Sequence, residues 1–418
     1  MDGFRKDIQY YKFCAYGFLK NLRFFEPFLI LFFLEGHLSY LQIGVIYSIR
    51  EIVRNIFEIP SGLLADVLGR RRTMITSFSL YILSFILYSI SYRYGWLIMA
   101  TVVFALGDAF RTGTHKAMIF DYLDLRDWTA HKVVYYGHTR SWSQAGSAVS
   151  ALMAASLIFF TGQISQVFIY SVLPYALGLL LILSYPVYLD GEAPGFRKSS
   201  LKAAFRVTLG NFWKSIKKSK VLRGIINVSA YGGYYRAIKD YIQPVIQAAA
   251  LSLPLMASFS SEQKTAVLLG IIYFLIYLMS SAVTRQSGNF SRRFRDLTGP
   301  LNLTLVVGLI FGMMTGFFLL AGFTSLAIIL YIGIYLVQNL RIPAGIAFFT
   351  ENLDKDILAT TLSAESQGKS MFTALNALML GYLADRFDIG TAILACSALI
   401  LLTTPVYLLK KRSGSSTS

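Results

Sequence analysis

Arg111 and His115 stand four residues apart in 104-FALGDAFRTGTHKAMIFDYL-123, with Asp108 one turn before them and Asp121 beyond. Side chains at that spacing share a helix face, and an arginine beside a histidine can hold an anion through charge-assisted hydrogen bonds. The same residue types recur elsewhere in apolar surroundings. Arg23 precedes Glu26, Arg236 and Lys239 precede Asp240, and Gln338 precedes Arg341. The solute-binding set read from this pattern is Arg23, Arg111, His115, Arg236, Lys239, Gln338 and Arg341. Glu26, Asp108 and Asp240 form the proton-coupling set, because a carboxylate withdrawn from water takes a proton more readily than one in bulk. Pairs such as Arg23 with Glu26, Asp108 with Arg111, Arg236 with Asp240 and Glu365 with Lys369 can also neutralise one another. The mid-depth tally still favours cations, and Arg341 has no acid within a turn.

These charges interrupt stretches that otherwise suit a bilayer. The chain has 418 residues, of which 55% are hydrophobic and only 15% charged, against about a quarter charged in soluble domains. Its net charge of +17 sits in short loops between apolar runs, which points to membrane orientation and not to nucleic acid. The four histidines have no ligand spacing, and Cys14 and Cys396 lie in apolar runs near opposite ends. No metal, cofactor or disulfide is implied. The opening MDGFRKDIQYYKF lacks a cleavage pattern, so the first span is expected to stay in the membrane.

A helix needs ~20 residues to cross the hydrocarbon core. Twelve segments of that order fall near 9–34, 41–65, 73–92, 96–122, 136–161, 166–189, 221–250, 264–284, 298–321, 324–351, 358–383 and 389–409. Basic residues crowd the connections on one side, including Arg70 to Arg72 and the run from Arg197 to Lys220, while the other side has little beyond Arg93 and Arg386. That asymmetry puts both termini in the cytoplasm. The division expected is a six-helix bundle over 1–190, an amphipathic cytoplasmic linker over 191–220, a second six-helix bundle over 221–412 and a disordered tail over 413–418.

The two halves echo each other. CAYGF at 14–18 returns as SAYGG at 229–233, and 143-SQAGSAVSALM-153 returns as 366-SQGKSMFTALN-376. Arg111 and Asp121 align with Arg341 and Glu351. The echoes pair spans one with seven, four with ten and five with eleven, a parallel duplication found in transporters. Ionisable residues occur deep in spans one, two, four, five, seven, ten and eleven, but not in the interiors of three, six, nine and twelve. A charge facing lipid costs at least ~2.5 kcal/mol, so only every third helix is free to face lipid.

The loop after span two reads 62-GLLADVLGRRRTM-74. Gly62, Leu64, Ala65, Asp66, Gly69, Arg70 and Arg71 resemble the motif-A signature of the major facilitator superfamily, with Val67 departing from its usual basic residue. The resemblance implies an all-α integral membrane protein with twelve transmembrane helices in two pseudo-symmetric six-helix bundles, working by alternating access. It implies a central cavity lined by spans one, four, seven and ten. It also implies a conformational role for Gly62, Asp66, Gly69, Arg70 and Arg71, with Asp66 docking on the start of span eleven near Ala359 to Thr361. Arg111 falls where the motif-B arginine belongs, without the usual Gln-Gly after it. The Gly-Pro of antiporter motif C is missing from 145-AGSAVSALMAAS-156.

The function expected is secondary active transport, coupled to protons, of a small anionic or zwitterionic organic solute across the cytoplasmic membrane, by a monomer in the lipid bilayer. No phosphate-binding Walker loop is present to use ATP directly. A multidrug efflux pump for amphipathic compounds is the alternative, in view of 26 Tyr and 32 Phe. An enzyme is not expected: five residues separate His115 from Asp121, more than the His–Asp pair of a membrane acyltransferase allows.

Overall fold

The computed structural model describes residues 6–128, 131–190, 219–254, 258–352 and 355–410. Each of the twelve expected spans coincides with helix. Among the described residues, eight helices are long and apolar enough to cross a membrane. The segments that fall short do so for two reasons. Spans two (Tyr40–Leu68) and eleven (Lys355–Arg386) carry charges within the helix, whereas spans one and seven are interrupted.

Three spans are broken, and they are three of the four expected to line a cavity. Span one runs as Ile8–Lys20, then a single 3-10 turn Glu26–Phe28 with Pro27 at its start, then Leu29–Glu35. Span four is two helices, Tyr94–Arg111 and Thr114–Leu125, separated at Thr112 and Gly113. Gly113 has φ +81°, a left-handed conformation that glycine takes without steric penalty. The sequence reading treats this span as one continuous helix; instead, Arg111 ends one helix and His115 belongs to the next. Span seven breaks at a 3-10 turn, Lys239–Tyr241, before Ile242–Ser252.

Irregular backbone inside a membrane persists only where its polar groups find partners. Tyr175 donates to the Lys20 carbonyl at 2.9 Å, and Asn21 Nδ2 donates to the Gly17 carbonyl at 2.9 Å. Thr112 and Thr114 hydroxyls donate to the carbonyls of Asp108 and Phe110 at 2.8 and 2.9 Å. In span seven, Tyr331 and Tyr335 donate to the carbonyls of Ile238 and Lys239. The tyrosine abundance thus has a local purpose at the breaks.

The chain forms two compact units. One comprises Met1–Leu38, Ile49–Leu201 and Ile246–Tyr277, the other Ser39–Ser48, Lys202–Val245 and Leu278–Ser418. They follow the expected halves except at two segments. In the second unit, the first turns of span two pack on the last turns of span eleven. Asp385 accepts from the backbone N–H groups of Tyr40 and Leu41 at 2.7 and 2.8 Å, and Ser48 donates to the Ala374 carbonyl at 2.7 Å. A side chain at Gly44 would strike the Ala377 carbonyl, so glycine permits this approach. In the first unit, Gln263 donates to the Phe159 carbonyl at 3.1 Å, and the Phe159 and Phe259 rings meet edge-on at 5.3 Å. The expected amphipathic linker, apart from its last two residues, and the expected tail lie outside the described residues.

Candidate functional site

In the first unit, the site grows from the breaks in spans one and four. Asp108 accepts from Tyr81 and faces two guanidinium groups, Arg111 at 3.3 Å and Arg23 at 3.9 Å. Arg111 Nε donates to the Tyr81 hydroxyl at 2.9 Å, and Arg23 Nε to the Tyr175 hydroxyl at 3.1 Å. Tyr81 and Tyr175 are fully buried, so the arginines are held by rigid rings. Glu26 lies within Coulomb range of Arg23.

Beside this network lies a cavity of about 360 Å³ between spans one, four and five. Its ionisable lining comprises Lys20, Arg111, His115, Lys116 and Arg140, together with the phenols of Tyr16 and Tyr136, and no carboxylate. His115 stacks on Tyr16 at 3.6 Å with the rings 14° apart, and its Nε2 lies 3.2 Å from the Tyr185 hydroxyl. Lys116 sits over the rings of Phe120 and Tyr136 at 5.3 and 5.6 Å. Among the described residues, the Lys20 and Arg140 side chains make no ion pair or hydrogen bond. Lys20 is within Coulomb range of three cations, Arg23, Arg111 and Arg140, and of one carboxylate, Asp108. Glycine admits the close crossing of spans one and five: a Cβ on Gly17 would lie 2.8 Å from Ser143 Oγ and 2.9 Å from the Thr139 carbonyl.

In the second unit, the equivalent helices seven, ten and eleven enclose a cleft of about 90 Å³. Gln338, Arg341, Glu365 and Lys369 line it. Arg341 is 3% exposed and is not the unpaired cation the sequence reading makes of it. Nη1 donates to the Leu301 carbonyl and to Thr304 Oγ1 at 2.9 Å, while Nη2 donates to the carbonyl and side chain of Asn227 at 3.1 and 2.9 Å. Its guanidinium also lies 5.0 Å from the centre of the Tyr231 ring. Backbone carbonyls and neutral side chains, not acids, satisfy it. Lys369 is paired with Glu365 at 2.6 Å. Deeper in the unit, the buried Asp240 binds Lys239 at 3.1 Å and accepts from the Tyr47 hydroxyl at 3.0 Å. Arg236 occupies the last turn of the helix Ser219–Ile238.

The family model described as Major Facilitator Superfamily matches residues 13–364. The chain belongs to the major facilitator superfamily. A stretch of 92 residues, 22% of this chain and 23% of the relative, is 32% identical to an uncharacterized MFS-type transporter, YxaM, of Bacillus subtilis (strain 168). The crystal structure of the nucleoside transporter NupG resembles this fold with a TM-score of 0.77 at 14% identity, over 97% of this chain and 100% of that one. A POT family transporter in complex with 5-aminolevulinic acid does so with a TM-score of 0.72 at 12% identity, over 96% and 94%. Membership of this superfamily makes the chain a multi-pass membrane transporter, and the solved structures share its fold.

The superfamily's motif-A loop is built as a turn between spans two and three. Gly69 has φ +97°, and a side chain there would collide with Asp190. Asp190 Oδ1 instead accepts from the N–H groups of Arg71 and Arg72 at 2.9 and 3.3 Å, capping span three. Arg70 pairs with Asp121, and Arg71 donates to the carbonyls of Ile182 and Leu183 at 3.3 and 2.6 Å. A Cβ on Gly62 would meet nothing within 4 Å. The Asp66 side chain, and that of Ala359 opposite it in the expected docking, lie outside the described residues.

The structure brings Arg111 and His115 into one cavity and Gln338 and Arg341 into another. Arg23 and Lys239 stand in ion pairs. Arg50 and Arg54 of span two share Glu51 at 3.9 and 2.9 Å. Lys20, Lys116 and Arg140 are the cavity cations absent from the solute-binding set. A signal for two of them was available: no Asp or Glu lies within four residues of Lys20 or of Arg140.

Proposed function

We propose that this chain is a secondary active transporter that moves a small organic anion by alternating access, with the first-unit cavity as its principal solute site. The observation that carries the reading is the lining of that cavity: lysine, arginine and histidine from spans one, four and five, without a carboxylate. Cations withdrawn from water in this way favour an anionic partner, because an uncompensated buried charge is strongly unfavourable. Arg111 and His115 are the contacts read from sequence that meet this solute, with Lys20 and Arg140 added. Arg23 acts through Asp108, and Gln338, Arg341, Arg236 and Lys239 belong to the second unit's part of the cycle.

Proton coupling through Asp108, Glu26 or Asp240 is the finer part of the proposal. Asp108 supports it by its position, since it links the cavity arginine to Arg23. Asp66 is proposed as a conformational lock on the motif-A side. The excess of basic loops supports a reading with both termini in the cytoplasm and the protein in the cytoplasmic membrane; a monomer is proposed as the working unit.

The test is uptake into proteoliposomes of matched anionic, neutral and cationic solutes, with and without an imposed pH gradient. The account expects anions to be accumulated. A preference for amphipathic cations would replace it with multidrug efflux. Gradient-driven accumulation that survives undiminished in Asp108→Asn, Glu26→Gln and Asp240→Asn alike would remove proton coupling through these groups.

A further inference from the structure

The break in span four is lopsided in its hydrogen bonding. Its carbonyls are met by Thr112 and Thr114. Its donors are not. The helix Thr114–Leu125 begins at Gly113 with no side-chain cap, and the N–H groups of Thr114, His115 and Lys116 have no acceptor among the described hydrogen bonds. A helix start carries the positive end of the backbone dipole and points its free N–H groups outward. Gly113, His115 and Lys116 all line the 360 Å³ cavity.

A second observation marks the same place. Tyr16 lines this cavity from span one and is 4% exposed, and its buried hydroxyl, close to Arg111, makes no hydrogen bond of normal geometry. An unsatisfied buried hydroxyl costs roughly as much as a lost hydrogen bond, which a ligand oxygen would restore. Lys20 and Arg140 approach from spans one and five with their side chains unpaired among the described residues. Arg111, though partly engaged by Asp108 and Tyr81, is a third cation on the lining.

We propose that the Thr112–Gly113 break seats a doubly charged tetrahedral oxyanion, of the phosphate monoester class, with the remainder of the solute in the cavity. The proposal rests on the anion-transport reading above. Donors converge from three helices, and a phosphate presents three terminal oxygens with a charge of about −1.5 to −2. A carboxylate has two oxygens in one plane and a single charge, so it would leave a donor direction and a cation unmet. The free N–H groups add directional donors that a point charge alone does not supply.

The experiment is equilibrium binding to the purified full-length protein of four probes on one scaffold: phenyl phosphate, phenyl sulfate, benzoate and benzylammonium. At pH 7.5 phenyl phosphate should bind about tenfold or more tighter than phenyl sulfate or benzoate, as expected when extra charge-assisted hydrogen bonds are made. Lys20→Gln should remove most of that advantage, and Lys20→Arg should restore part of it. A second measurement needs no variant. The second phosphate ionisation has a pKa of about 6, so the advantage over phenyl sulfate should shrink between pH 7.5 and pH 5. Phenyl sulfate keeps its charge across that range and so reports any change in His115. Equal, Lys20-dependent binding of benzoate, phenyl sulfate and phenyl phosphate would overturn the tetrahedral dianion while leaving anion transport standing. Preferred binding of benzylammonium would overturn both. Failure of every probe to bind would overturn the seat at the break.

Discussion

The clefts of the two units are built from equivalent helices and behave in opposite ways. In the first, spans one, four and five leave about 360 Å³ lined by cations. In the second, spans seven, ten and eleven leave about 90 Å³. The repeat alignment 143-SQAG-146 with 366-SQGK-369 locates the difference. Gly146 stands where the second half has Lys369, and Phe18 stands where it has Gly233. In the first unit, glycine on span five makes way for the Phe18 backbone, whose carbonyl a Cβ on Gly146 would strike. In the second, the glycines are on span seven: a Cβ on Gly232 would lie 2.7 Å from Lys369 Cε, and one on Gly233 would lie 2.9 Å from the Lys369 carbonyl. Lys369 therefore fills its own cleft, and Glu365 neutralises it. The aligned arginines follow suit, since Arg111 faces a cavity and Arg341 is consumed by carbonyls. One cleft is open and lined by cations, and the other is filled by its own side chains.

That contrast is broken most forcefully at Arg341. Arg341→Ala would strand the Leu301 and Asn227 carbonyls and the Asn227 and Thr304 side chains, at ~1–3 kcal/mol for each group left unpaired. Thermal unfolding of the detergent-solubilised protein should show a stability loss of about 3–5 kcal/mol, of the order seen when a buried charge network is opened. An unchanged unfolding midpoint would mean that Arg341 is not structural. Next in size, Glu365→Gln should make the second cleft more like the first by removing the acid that neutralises Lys369. Loss of that ion pair is expected to lower stability by about 1–3 kcal/mol, the cost of leaving a buried polar group poorly paired, while affinity for anionic probes rises. Lower anion affinity in Glu365→Gln would show that the clefts are not interchangeable in this sense.

Two glycine substitutions test the first cavity more gently. Gly17→Ala pushes a methyl group against Ser143 and the Thr139 carbonyl and should cost about 1–3 kcal/mol by overpacking, with reduced solute affinity. Gly113→Ala meets no neighbour within 4 Å, so its expected cost is only the left-handed backbone penalty of ~1–2 kcal/mol. A stabilised Gly113→Ala would argue for a continuous span-four helix.

The twelve spans and the family were legible because hydrophobic length and the GLLADVLGRR loop depend on local sequence alone. The breaks were only half legible. Pro27, at the start of the 3-10 turn in span one, is visible in the sequence, but Gly113 sits in a run whose hydropathy and spacing also suit an unbroken helix. The fate of Arg341 was not legible, because backbone carbonyls leave no trace in a count of acids and bases. Arg50, Arg54 and Glu51 show the same limit from the other side: a tally of charges cannot tell that one buried carboxylate serves two arginines. Lys20, left out of the solute-binding set, carried the clearest signal, a cation with no acid within four residues.

The most direct measurement of the central claim sets Lys20→Gln beside Arg341→Lys in one assay of anion binding and thermal unfolding. Among the described residues the Lys20 side chain makes no hydrogen bond or ion pair, so Lys20→Gln should leave stability within about 1 kcal/mol, as for a substitution that breaks no buried contact, while anion affinity falls about tenfold or more. Arg341→Lys loses the planar fork that reaches four acceptors, so its stability should fall while anion affinity in the folded protein stays within about threefold, as expected of a residue remote from the ligand. The reverse pattern, with anion affinity lost in Arg341→Lys and kept in Lys20→Gln, would contradict the account and move the solute site to the second unit.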